Sequence, residues 1–168
     1  ILAIAWSSAV ALALAVAGAY RYGRLLSVNV AFSLLVTLVA RRRLRYDVAV
    51  PKPGPTALIP VALIALGLWL FFPPAEYVMG GKDPGTYMNE GIQIAQRGTL
   101  VVRDPTAAAV PPSTRALFFP SQNTTTHYSV RFMGFFLLNP DEGSVVGQFP
   151  HLYPVWIAIG YGLNGLTG

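Results

Sequence analysis

The chain has no cysteine, only two lysines (Lys52 and Lys82), two histidines and seven acidic residues among its 168 positions. Without cysteine there is neither a disulfide framework nor a thiolate metal site. Charged residues make up 11% of the sequence against 54% hydrophobic, and the mean hydropathy is +0.51. A soluble domain carries about a quarter charged residues, so this composition is that of a membrane protein. The net charge of +5 comes mostly from arginines lying between apolar runs. In such a chain, basic residues set orientation and do not imply nucleic acid as a partner. There is no internal repeat, and no Gly-rich nucleotide loop follows a strand. The dominance of arginine, alanine, glycine and proline points to a GC-rich bacterial source.

Three long apolar runs are present. Ile1–Tyr20 has the ~20 residues needed to cross a bilayer; it is too long for the apolar region of a signal peptide and has no small-residue cleavage site. After a turn at Arg21–Arg24 comes Leu25–Ala40, a shorter span whose flanking Arg24 and Arg41 can snorkel to the interfaces. Arg41, Arg42, Arg43, Arg45 and Lys52 then form the densest basic cluster, and Pro51, Pro53 and Pro55 stop any helix through it. Ala57–Phe72 is the third span, with Pro60 in its first turns and Trp69 as an interface anchor. The stronger basic cluster places residues 41–55 inside, so residues 21–24 and everything after Phe72 fall outside. A fourth span is expected from about Tyr153. Because the sequence starts and stops within apolar runs, it reads as the N-terminal part of a longer protein.

The segment Gly80–Gly98 is the first polar, turn-rich stretch beyond these spans. Asp83 followed by Pro84 has the form of a helix N-cap with proline at the first helical position. Tyr87, Gly91, Ile94 and Ala95 share one helical face, with Met88 and Ile92 flanking, so a short interfacial helix can lie on an apolar surface. Gly98 is suited to end it. Leu100–Arg103 predicts a strand and Pro105–Pro120 an irregular segment. Tyr128–Leu138 predicts a strand that turns at Asn139–Gly143 and pairs with Ser144–Phe149 as a hairpin. The expected architecture is a mainly α, polytopic helical membrane protein. Its outer loop, residues 73–150, contains a short interfacial helix and a small β-hairpin. Residues 1–55 would supply two additional spans and the cytoplasmic basic connection. Residues 56–168 would begin the core, with a helix over 56–72 and the next starting at 151.

Two motifs resemble a known family. Asp83-Pro-Gly-Thr-Tyr87, continuing to Ala95 and Gly98, is similar to the Asp-Glu-x-x-Tyr…Ala…Gly pattern in the first outer loop of GT-C membrane glycosyltransferases. Gln148-Phe-Pro-His-Leu-Tyr-Pro154 resembles the Pro-Pro-Leu-Tyr-Pro entry to their following helix. The group most alike contains the protein O-mannosyltransferases and the aminoarabinose transferases of lipid A, and the resemblance covers roughly residues 57–168. Pro84 stands where the family often has a second acidic residue, and His151 where it often has proline. What the resemblance implies is an enzyme of the bacterial cytoplasmic membrane working on its outer face. It would take a sugar from a polyprenyl-phosphate carrier to the hydroxyl of a lipid, glycan or protein acceptor. Asp83 would then be the acceptor-activating base. Lys82, Arg97 and Arg103 would be outer-face cations for the leaving phosphate.

Each residue also has a plainer reading. Asp83 can serve as an N-cap alone. Glu90 is expected to be a solvated helix residue, with substrate binding as the alternative. Tyr87 and Tyr153 suit interface anchoring better than substrate contact. His127 and His151, with Asp141 or Glu142, could hold a divalent metal, but scattered histidines seldom form a site, so no cofactor is expected. The Asn123-Thr-Thr125 sequon is accidental in a bacterial chain. Two further classes stay open: a transporter or flippase segment, and a non-catalytic membrane subunit whose outer loop binds a partner. Transporters place charges within their spans, whereas these spans contain none.

Overall fold

The computed structural model of the protein describes residues 2–41, 54–72, 82–120, 129–132 and 134–167. The chain is mainly helical, with one small antiparallel sheet. Helix α1 (Leu2–Val16) is followed by α2 (Tyr22–Ala40), and a 3-10 turn at Pro55–Ala57 leads into α3 (Leu58–Phe71). α4 (Lys82–Arg97) is the amphipathic helix of the central stretch. Beyond it come β1 (Val102–Arg103), the short helices α5 (Pro105–Ala108) and α6 (Arg115–Phe118), and strands β2 (Ser129–Phe132), β3 (Phe135–Asn139) and β4 (Ser144–Gly147). The last helix is α7 (Leu152–Asn164).

The first expected span is shorter than its apolar run. α1 stops at Val16 because Gly18 takes φ +65, and the N–H groups of Gly18 and Ala19 fold back onto the carbonyls of Ala15 and Leu14. That is the double-bonded Schellman ending, which needs a left-handed residue at the first position past the helix. Tyr20 then binds away from its own helix, its N–H donating to the Gly98 carbonyl at 3.0 Å. The fourth span is likewise short. α7 has 13 residues and ends at Gly165, with φ +63. Among the described residues, only α2, at 19 residues, is both long and apolar enough to cross a membrane; α1 and the Pro55–Phe71 helix are apolar but shorter.

Two apolar clusters hold the fold together. In the first, Ala11 and Ala15 of α1, Tyr20, Leu25 at the start of α2, Ile94 of α4, and Val155 and Ala158 of α7 close on one another. α4 therefore rests its apolar face on α7, so the surface beneath the amphipathic helix is protein. Gly91 makes this close approach possible, since a methyl there would come within 2.6 Å of Ile157 and 2.9 Å of the Pro154 carbonyl. In the second cluster, Phe135, Leu137 and Val145 of the sheet pack with Ala107 and Phe119.

The sheet has the order β1-β4-β3-β2. The predicted hairpin is present: Leu137 pairs with Val145 across the Asn139–Gly143 turn. Asn139 Oδ1 holds that turn by accepting from the N–H groups of Asp141 and Glu142, the local bonding that makes asparagine a turn former. The Tyr128–Leu138 run, expected as one strand, is instead two strands, β2 and β3, folded back at Gly134 with φ +101. The predicted strand at Leu100–Arg103 is β1, paired with β4. The Pro105–Pro120 segment, expected to be irregular, contains α5 and α6. Asp104 caps α5 by accepting from the N–H groups of Thr106 and Ala107, and Pro105 opens it, the favoured start of a helix.

Candidate functional site

The geometry of interest lies where α4 crosses the start of α7. Asp83, Tyr87, Glu90 and Ile94 are spaced by four, three and four residues, so they form one stripe along α4. The stripe runs from exposed Asp83 through half-buried Tyr87 to buried Glu90 and Ile94. Asp83 lies inside the first turn of the helix, which begins at Lys82, and is therefore not the N-cap residue expected. A carboxylate in the first turn still meets the positive end of the helix dipole. At the far end, Gly98 ends the helix as expected: it has φ +79, and its N–H donates to the Ile94 carbonyl at 2.8 Å.

Glu90 is the main departure from the sequence reading. It is not a solvated residue; it is 1% exposed, covered by β4 and the entry to α7. Its Oε1 lies 2.5 Å from Nδ1 of His151, the residue that precedes α7. The other carboxylate oxygen, Oε2, has no hydrogen-bond partner among the described residues. β4 can approach this closely only because residue 147 is glycine; a methyl there would overlap the carboxylate. Burial raises the Glu90 carboxyl above its ordinary value of 4.5, and the adjacent His151 offsets part of that rise. His151 is 30% exposed, so one nitrogen of its ring is held by a buried carboxyl and part of the ring faces solvent. Such a bond sets the orientation of an imidazole.

An aromatic cluster stands beside this pair. The Tyr87 ring lies 5.0 Å from Phe149 and 5.3 Å from Tyr153, edge-on to the latter, within the favourable range for aromatic pairs. Pro154 occupies the first turn of α7, where its missing N–H costs nothing. The structure thus brings together Tyr87, Glu90, His151 and Tyr153, with Asp83 one turn from Tyr87 on the same stripe of α4. It does not bring Arg97 or Arg103 to them. Arg97, the last residue of α4, is two turns beyond Glu90 and about 21 Å along the axis from Asp83 at 1.5 Å per residue. Arg97 and Arg103 line a separate cleft of about 300 Å³ with Gln93, Gln96 and Asp104, and Arg103 pairs with Glu142 at 3.4 Å. Lys82 opens α4, but its side chain lies outside the described residues, as do His127 and the Asn123 sequon. Among the described residues, no three His, Cys, Asp or Glu side chains are grouped to hold a metal ion. Asp141 is paired with Arg115 at 2.7 Å and Glu142 with Arg103.

No protein-family model, curated protein or solved structure matches this chain. The Glu90–His151 pair escaped the sequence reading, although a signal for it was present. Glu90 lies three residues after Tyr87 and four before Ile94, on the edge of the apolar face, where a carboxylate is placed for burial and needs a partner.

Proposed function

We propose that the chain belongs to a polytopic membrane glycosyltransferase acting outside the cytoplasm, with a polyprenyl-phosphate sugar as donor and a hydroxyl as acceptor. The observation that carries this reading is the joining of the two motif segments. Asp83–Gly98 and Gln148–Pro154 are distant in sequence, yet Tyr87 packs against Phe149 and Tyr153, and Glu90 bonds His151. Motifs that act together in one reaction have reason to share a surface. The membrane setting is supported by α2 and α3. α3 buries none of its residues, and Trp69 near its end is 77% exposed. A helix apolar on every side requires an apolar surrounding.

In the proposed reaction the acceptor O–H gives its proton to a carboxylate. The freed oxygen attacks the anomeric carbon, and the carbon–oxygen bond to the lipid phosphate breaks, the phosphate taking the electron pair. Exposed Asp83 is suited to be the base. Arg97 is too far from it to meet the same leaving group, so Lys82 is the cation of this segment best positioned in sequence to do so. A second reading has its own support: His151, oriented by Glu90, could take the proton instead.

Assays of donor-sugar transfer in the full-length protein separate the two. Asp83→Asn is expected to lower turnover by ~10²–10⁴-fold, the usual cost of losing a general base, with helix content unchanged. His151→Gln is expected to lower it far less. The reverse ranking would assign the base to His151. Near-normal turnover in both variants would exclude both residues as the base, and absence of transfer by the unmodified full-length protein would refute the transferase reading.

A further inference from the structure

A second polar feature lies at the other end of α4. The Schellman turn after α1 and the Tyr20–Gly98 hydrogen bond bring the α1–α2 connection against the end of α4. Gly98 is required there, since any Cβ would sit 2.7 Å from the Tyr20 carbonyl. Arg21, Arg24 and Arg97 consequently line one pocket of about 240 Å³, together with Tyr20 and Gln96. That is far more than the roughly 10–15 Å³ one water needs. None of the three arginines has a carboxylate within ion-pair reach among the described residues, whereas Arg103 and Arg115 each have one.

Arg24 has a structural task, donating from Nη1 to the Ala19 carbonyl at 2.6 Å. That uses one of its five N–H groups and leaves Arg21 and Arg97 unexplained. Arg21 occupies the N-cap of α2 and provides no side-chain cap. The first N–H groups of a 19-residue helix therefore lack the usual Ser, Thr or Asp oxygen. Arg21 and Arg24 also put positive charge at the positive end of a helix dipole, the unfavourable end for it. An anion in the pocket would offset the positive charge that the three arginines gather at the start of α2.

We propose that this pocket binds the phosphate of an anionic membrane lipid. Its position between the ends of two apolar helices puts it at the level of the headgroups. The proposal rests on the membrane placement above and not on the transfer chemistry. A pocket about 21 Å along α4 from Asp83 is remote from the leaving group of a reaction there. A lipid held here would fix α4 relative to the bilayer.

The test uses full-length protein reconstituted into bilayers of phosphatidylcholine alone, of phosphatidylcholine with phosphatidylglycerol, and of phosphatidylcholine with inorganic phosphate in the buffer. The readout is amide hydrogen exchange over residues 17–24 and 95–100. Phosphatidylglycerol is expected to slow exchange several-fold in both segments. Arg21→Gln/Arg97→Gln, which leaves the Arg24 cap intact, is expected to abolish the effect, while Arg103→Gln keeps it. Equal exchange in the two lipid mixtures, or protection that survives the double variant, would overturn the proposal. Protection by inorganic phosphate alone would assign the pocket to a soluble anion and overturn the lipid source. Failure to insert into phosphatidylcholine would count against the membrane placement itself, and transfer activity is a separate measurement.

Discussion

Glu90 is a carboxyl held almost wholly out of water, with one oxygen unpartnered among the described residues. A carboxyl taken out of water favours its protonated form, and here burial outweighs the attraction of His151, so its pKa is raised. The native state therefore holds this proton more tightly than the unfolded chain does. Stability falls with rising pH wherever the folded state binds more protons. For Glu90 that loss begins near its ordinary value of 4.5 and is complete once the pH exceeds the raised value. Glu90→Gln, neutral at every pH, is expected to flatten this part of the profile. Urea unfolding of the detergent-solubilised protein from about pH 4.5 to neutrality measures it; an unchanged slope in the variant would mean that Glu90 is not the group responsible. Gly147→Ala attacks the same place sterically. Displacing the carboxylate is expected to cost about 1–3 kcal/mol, as overpacking does.

At the scale of elements, the contact between α4 and α7 decides whether the two motif segments meet. It depends on Gly91, whose place could be taken by alanine only if the Pro154 backbone and Ile157 moved. Alanine is the better helix former by about 1 kcal/mol, yet Gly91→Ala is expected to destabilise by about 1–3 kcal/mol because backbone cannot yield. Gly23 in α2 provides the opposite case. Nothing lies within 4 Å of a methyl added there, so Gly23→Ala is expected to be neutral or stabilising by up to about 1 kcal/mol. Thermal unfolding of the two variants side by side should show a lowered Tm for Gly91→Ala and an unchanged or raised one for Gly23→Ala. The sheet was partly legible in advance: Asn139 and Gly143 specify a turn locally. The fold-back at Gly134 was missed because Phe132 to Leu138 reads as one apolar run, and a single glycine within a strand does not announce a reversal.

For the whole molecule, the α1–α2 connection and the segment from α4 onward are bonded to each other through Tyr20, Leu100, Ala15 and Gly98. They must therefore lie on the same face of any membrane that α2 crosses. Residues 41–52 carry five basic residues against two in 21–24, which in the proposed topology turns the shared face outward. Single cysteines at Gly23 and Ser113, both exposed, are expected to react alike with a membrane-impermeant thiol reagent applied to intact cells. A cysteine at Pro53 is expected to react only after permeabilisation. Labelling of Pro53→Cys alone from outside would reverse the topology and remove the basis for an outward-facing transferase.

Local chemistry in the sequence determined the helices from apolar periodicity, the ending of α4 at Gly98, and the Asn139–Gly143 turn. Each of these depends on dihedral freedom, capping or hydrophobic pattern within a few residues. The tertiary structure alone decided that Glu90 is buried and that it bonds a histidine 61 residues away. It alone gathered Arg21, Arg24 and Arg97 around one pocket. Desolvation and charge pairing depend on which surfaces close on one another. That follows from how α1, α4, α7 and the sheet pack together, and no window of sequence contains it.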